Sequence, residues 1–72
     1  MSEEELERLR VSLGQLRKWE RELLMKRFCE GYTVAMLAKE SAFWSESTIR
    51  NRLAQALAHL QKVYQRVERS QG

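Results

Sequence analysis

Proline is absent from these 72 residues, and glycine occurs only at Gly14, Gly31 and Gly72. Nothing therefore forbids helix, and only isolated positions weaken it, so helix is favoured almost throughout. Cysteine occurs once, at Cys29, which excludes an internal disulfide and agrees with a reducing compartment. Histidine also occurs once, at His59, with no second ligand at metal spacing, so no zinc site is expected. No apolar run approaches the ~18 residues of a membrane helix. The start, M-S-E-E-E-L-E, lacks the basic and apolar regions of a secretory signal. A cytoplasmic chain is expected. There is no nucleophile–base constellation, no glycine-rich phosphate loop and no carboxylate pair in a pocket-forming pattern. The expectation is therefore not an enzyme, and without cofactor.

What is present is a globular composition, 43% hydrophobic, in a chain long enough for one domain. A chain this short buries roughly 60–65% of its unfolded surface, so its stability is expected to be modest. Net charge is +3, unevenly spread. Residues 1–36 carry seven Lys/Arg against seven Asp/Glu, and residues 37–72 carry six against three. The first thirteen residues are net −2, whereas Arg50 to Gly72, with five bases and Glu68, is net +4. A basic C-terminal half fits a polyanion partner, and equally a solvated helix surface of mixed charge.

Four helical segments fit the pattern, giving an all-α, four-helix domain. The first, within 1–15, opens with Ser2 and Glu5 at capping-box spacing and carries Leu6, Leu9 and Leu13 as its apolar stripe. The second, 16–31, repeats Trp19, Leu23, Leu24 and Phe28 at helical spacing and closes at Gly31, the expected left-handed residue. The third is short, with Thr33 as N-cap, Val34, Leu37 and Ala38 inward, and an end near Ser41. The fourth starts at Ser45 and sends Ile49, Leu53, Leu57, Leu60, Tyr64 and Val67 along one stripe. Residues 33–60 form a helix pair joined by a brief turn, and 61–72 extend the last helix into a tail, R-S-Q-G, expected to fray. Met25 and Met36 are placed at or near the core, and Cys29 as a buried or half-buried thiol. Met1 and the capped first helix read as a complete chain.

Two helices joined by a short turn, the second with a polar leading face, form the pattern of a helix-turn-helix DNA reader. The candidate base-reading residues are Glu46, Ser47, Arg50 and Asn51. Arg50 can fork onto guanine, Asn51 can pair with adenine, Glu46 can accept from cytosine, and Ser47 suits a base or a phosphate. The other reading is an ordinary polar helix face. Thr33 and Ser45 mark helix starts that can hold phosphate, with Lys39, Arg52, Arg17, Lys18 and Arg21 as further phosphate candidates. Phe43 and Trp44 are adjacent in the turn. Phe43 is expected inward and Trp44 partly exposed, as a possible protein hot spot, unless both fold inward. The stripe through Leu60, Val63, Tyr64 and Val67 is the candidate dimer surface.

The residues L-R-K-W-E-R-E-L-L-M-K-R-F-C-E-G-Y-T-V-A-M-L-A (16–38) and S-E-S-T-I-R-N-R-L-A-Q-A-L-A-H-L (45–60) resemble region 4 of bacterial RNA polymerase sigma factors. Leu16, Glu20 to Glu22, Leu23, Leu24, Arg27, Phe28 and Gly31 follow that pattern. Thr33, Leu37 and Ala38 match the first helix of its helix-turn-helix, and Ser45, Thr48, Ile49, Arg52, Leu53, Ala56, Leu57 and Leu60 the second. Arg17 stands where a proline is usual, Ser41-Ala42 where leucine-glycine is usual, and Phe43-Trp44 where one aliphatic residue is usual. The angle between the two helices can therefore differ from the family's. More distantly, the chain is similar to LuxR/GerE-type helix-turn-helix domains. Sigma regions 2 and 3 have no counterpart here. The resemblance implies double-stranded DNA as partner, RNA polymerase as a further one, and a regulator acting as a homodimer or with polymerase. The alternative is a protein-interaction module that mimics region 4 and binds polymerase or another transcription factor without reading DNA.

Overall fold

A computed structural model describes residues 1–71, and side chains through residue 70. Four helices follow in order, α1 (Glu3–Gly14), α2 (Lys18–Phe28), α3 (Val34–Glu40) and α4 (Glu46–Gln71), with no strand among the described residues. The domain is all-α with a long last helix. α1, α2 and α3 each pack chiefly against α4. At 1.5 Å per residue α4 is about 39 Å long, and it sets the longest dimension of the molecule, 41 Å.

The helix ends follow local chemistry. Ser2 caps α1 by accepting the Glu5 N–H at 3.2 Å. α2 closes on Gly31 at φ 78°, the one positive-φ residue among those described. The Tyr32 N–H donates to the Lys26 carbonyl across that closure at 2.9 Å. Thr33 Oγ1 accepts the Met36 N–H at 3.1 Å, and Ser45 Oγ accepts the Thr48 N–H at 3.3 Å, which opens α3 and α4 at the expected residues. At the far end Arg69 and Ser70 remain in α4, where the Ser70 hydroxyl donates to the Arg66 carbonyl. Gly72, in the tail expected to fray, lies outside the described residues.

The core consists of Leu16, Leu23, Leu24, Leu37, Ile49, Leu53, Ala56, Val63 and Val67. Along α4 the inward seam is Ile49, Leu53, Ala56, Leu60, Val63 and Val67, which alternates intervals of four and three. The expected stripe is therefore corrected in its middle. Leu57 is exposed and Tyr64 half-buried, and their places are taken by Ala56 and Val63. Ser12, wholly buried, turns its hydroxyl back onto the Arg8 carbonyl at 2.7 Å, so its polar group is satisfied within its own helix.

Four other inward placements are corrected. Phe28 is 58% exposed, and Met25, Met36 and Cys29 are also at the surface. α2 has only a narrow inward seam, and Leu23 and Leu24 occupy it beside half-buried Trp19.

One tie could not be read locally. Glu20 is 4% exposed, and its carboxylate accepts the Arg17 N–H at 2.9 Å and His59 Nδ1 at 2.8 Å. The lone histidine thus fastens the start of α2 to the middle of α4.

Candidate nucleic-acid interface

The turn between α3 and α4 decides how α4 begins. Ser41 Oγ accepts the Trp44 N–H at 3.2 Å and the Phe43 N–H at 3.4 Å, tying the turn to the end of α3. The Trp44 ring packs inward, edge-on to Trp19 with centroids 6.3 Å apart and planes at 83°. Phe43 projects outward and is 92% exposed. Phe43, expected inward, is therefore corrected, whereas Trp44, expected partly exposed, is half-buried. Trp44 takes the inward position, and Phe43 is the open aromatic. The reason lies elsewhere in the chain, because Trp19 and Arg52 provide a slot for an indole.

Beyond the turn, the first two turns of α4 carry the candidate reading residues. At about 100° per residue, Ser47 and Asn51 form the crest farthest from the inward seam. Glu46 and Arg50 occupy one flank of that crest, and Arg52 occupies the other. Glu46, Ser47, Arg50 and Asn51 are all exposed. The crest continues through Ala54 and Ala58, whose single methyl groups keep it low. Arg50 Nη2 lies 3.5 Å from Glu46 Oε1. An exposed i,i+4 pair of this kind is worth only about 0.3–0.5 kcal/mol, so it opens readily to a better partner.

The phosphate candidates divide. Lys39, Arg17 and Lys18 are exposed. Trp19 touches the Trp44–Arg52 group and Glu20 reaches His59, so the start of α2 runs along the flank of α4 shared by residues 52 and 59. Arg17 and Lys18 are exposed where α2 begins. Arg52 is tied to two indole rings. Its guanidinium sits 5.1 Å from the Trp19 ring and 5.0 Å from the Trp44 ring, half-buried as part of the packing. Arg21 turns towards the end of α1, with Nη1 3.5 Å from the Leu13 carbonyl. The Thr33 and Ser45 hydroxyls are both occupied as caps.

The candidate dimer surface is corrected as well. Val63 is 2% and Val67 7% exposed, both within the core, and Leu60, Tyr64 and Trp44 are half-buried. The open apolar surface lies beside them. Met25, Phe28 and Leu57 are exposed around a hollow of about 260 Å3 between α1, α2 and α4, and Leu6 of α1 is exposed as well. Helical periodicity marks these positions as apolar, but it does not tell which of two neighbouring apolar residues α1 leaves open.

Lys26 and Glu40 form an ion pair between α2 and α3. The hydrogen bond to Glu40 raises the Lys26 pKa above its ordinary value. The pair sits at the rim of a recess of about 310 Å3 that Ile49 and Leu37 also line, beside Phe43. No group of three or more metal-ligating side chains is present among the described residues. Nor is any helix among them long and apolar enough to cross a membrane. Comparison with protein-family models, curated proteins and solved structures found no match.

Proposed function

We propose that this chain is a small DNA-binding regulator of transcription, built on a helix-turn-helix like region 4 of sigma factors. The observation that carries this reading is the leading end of α4. Ser47 and Asn51 form an exposed crest, and Arg50 and Glu46 stand exposed on one flank. A helix end with hydrogen-bonding side chains at its crest and a cation on its flank suits the major groove, where base edges lie between two phosphate walls. Asn51 and Arg50 would supply the bidentate contacts to adenine and guanine, and Glu46 would release Arg50 to accept from cytosine. Lys39, on α3, would add a phosphate contact.

A single domain with so few base contacts needs help to reach useful affinity. It would act as a homodimer or alongside RNA polymerase. The surface open for such a partner is the one around Met25, Phe28 and Leu57. That surface also favours the second reading, a module that binds polymerase or another transcription factor without DNA.

The test is selection from a random duplex library at moderate salt, with wild type and an Arg50→Ala/Asn51→Ala double variant. Enrichment of a defined site by wild type and not by the double variant is the expected result. Folded wild-type protein that enriches nothing would sink the base-reading proposal and leave the protein-interaction reading.

A further inference from the structure

We infer that Phe43 is an additional specificity-determining residue, reading the 5-methyl group of a thymine at the edge of the site that α4 contacts. This inference rests on the proposed DNA-binding function and assigns it a residue outside the recognition helix.

Four observations converge on it. First, Phe43 is 92% exposed and so contributes almost nothing to the core, although its neighbour Trp44 is packed. Second, its position is set from both sides. Ser41 Oγ holds the Phe43 and Trp44 amides, and the Trp44 ring is locked against Trp19 and Arg52. The backbone of Phe43 is thus presented from a fixed turn, and binding need order only one ring about two torsions. Third, Phe43 is close to the reading residues. Three residues of chain span at most about 11 Å, so its Cα lies within that distance of the Cα of Glu46. That is about three base-pair steps at 3.4 Å each, before the reach of the ring is added.

Fourth, the chemistry is complementary. Arg50, Asn51, Glu46 and Ser47 read donors and acceptors, which identify guanine, adenine and cytosine. The feature that sets thymine apart in the major groove is a methyl group, which no hydrogen-bonding side chain can recognise. An exposed phenyl ring beside the reading helix supplies the apolar contact that this set lacks.

The experiment starts from the duplex selected by wild-type protein. Each thymine is replaced in turn by deoxyuridine, which removes only the methyl group, and binding of wild type and Phe43→Ala is measured by fluorescence anisotropy. Wild type should lose about fourfold in affinity at one position, the effect of one buried methyl group. Phe43→Ala should bind the thymine duplex less tightly by at least that factor, and should not distinguish thymine from deoxyuridine at that position. Its melting temperature should match wild type, because the ring is exposed. Equal affinity of the two proteins, with the same response to deoxyuridine, would overturn the role of Phe43 and leave DNA binding standing. Failure of wild type to select any duplex would overturn the DNA-binding reading itself, and the thymine contact with it.

Discussion

The two halves of α4 bury one continuous seam and differ in what borders it. From Glu46 to Leu53 the seam rests on α2 and α3, and the opposite side is polar, with Ser47, Arg50 and Asn51. From Ala54 onward the seam of Ala56, Val63 and Val67 continues in the core, and Leu57 is left exposed on its flank. One uninterrupted helix therefore joins a hydrogen-bonding crest to a stretch whose outer face is mostly polar and basic, with Leu57 as its exposed large apolar residue. Burial is an inadequate guide to what either end does, because the seam is common to both. The difference resides in side chains that contribute little to stability.

Removing core from either half is expected to have the largest effect and to show whether the two halves stand or fall together. Ile49→Ala should cost about 2–5 kcal/mol and Val63→Ala about 1.5–3 kcal/mol of unfolding free energy. Both indoles, Trp19 and Trp44, sit in the half that α2 and α3 cover, so tryptophan emission follows that half while far-ultraviolet circular dichroism follows all helices. In urea the two signals should shift together in both variants. If Val63→Ala moved only the circular dichroism transition, the halves would be separate folding units.

Next in size is the polar tie near the boundary. His59→Ala leaves the Glu20 carboxylate buried with only the Arg17 amide as partner, and should cost roughly 1–3 kcal/mol. Glu20→Gln, which keeps an acceptor for that amide, should cost less. Calorimetric melting of the two variants at one pH checks the order, and a larger loss in Glu20→Gln would contradict it.

Substitutions on the polar side should separate stability from binding. Arg50→Ala and Asn51→Ala are each expected to change unfolding free energy by no more than about 0.5 kcal/mol. On the selected duplex each should lose about 1–3 kcal/mol of binding. Matched titrations with denaturant and with duplex test this, and a variant that lost stability but kept affinity would reverse the contrast drawn between seam and crest.

The smallest effect is expected at Lys26. Its pKa is raised by Glu40, so the pair's contribution is fully present below the ordinary lysine value of 10.5 and fades as pH climbs through the raised one. The melting temperatures of wild type and Lys26→Met should therefore converge only at the alkaline end of a pH series. A difference that vanished near neutrality would rule out this assignment.

Much of the scaffold is legible in the sequence because local chemistry writes it. Gly31 closes α2, and Thr33 and Ser45 open α3 and α4, through bonds that span only a few residues. The exposed polar set at 46, 47, 50 and 51 follows from helical spacing alone. What could not be read depends on groups distant in the chain. Ala56 and Leu57 fit the helical period equally well. Hydrophobicity favours the leucine, whereas in the fold the alanine is buried and the leucine exposed. Phe43 and Trp44 are indistinguishable locally, and the choice is made by Trp19 and Arg52. The His59–Glu20 contact bridges 39 positions, which no window along the sequence covers.

The crest of α4 has a consequence for how such a chain can change over generations. Ser47, Asn51, Ala54 and Ala58 are exposed on a helix whose seam is held from the other side. Replacement at these positions is nearly neutral for folding, so selection on the surface can proceed one residue at a time without crossing a stability threshold. The seam changes slowly because each of its members touches several others. A lineage built on this helix would therefore diversify its targets far faster than its shape.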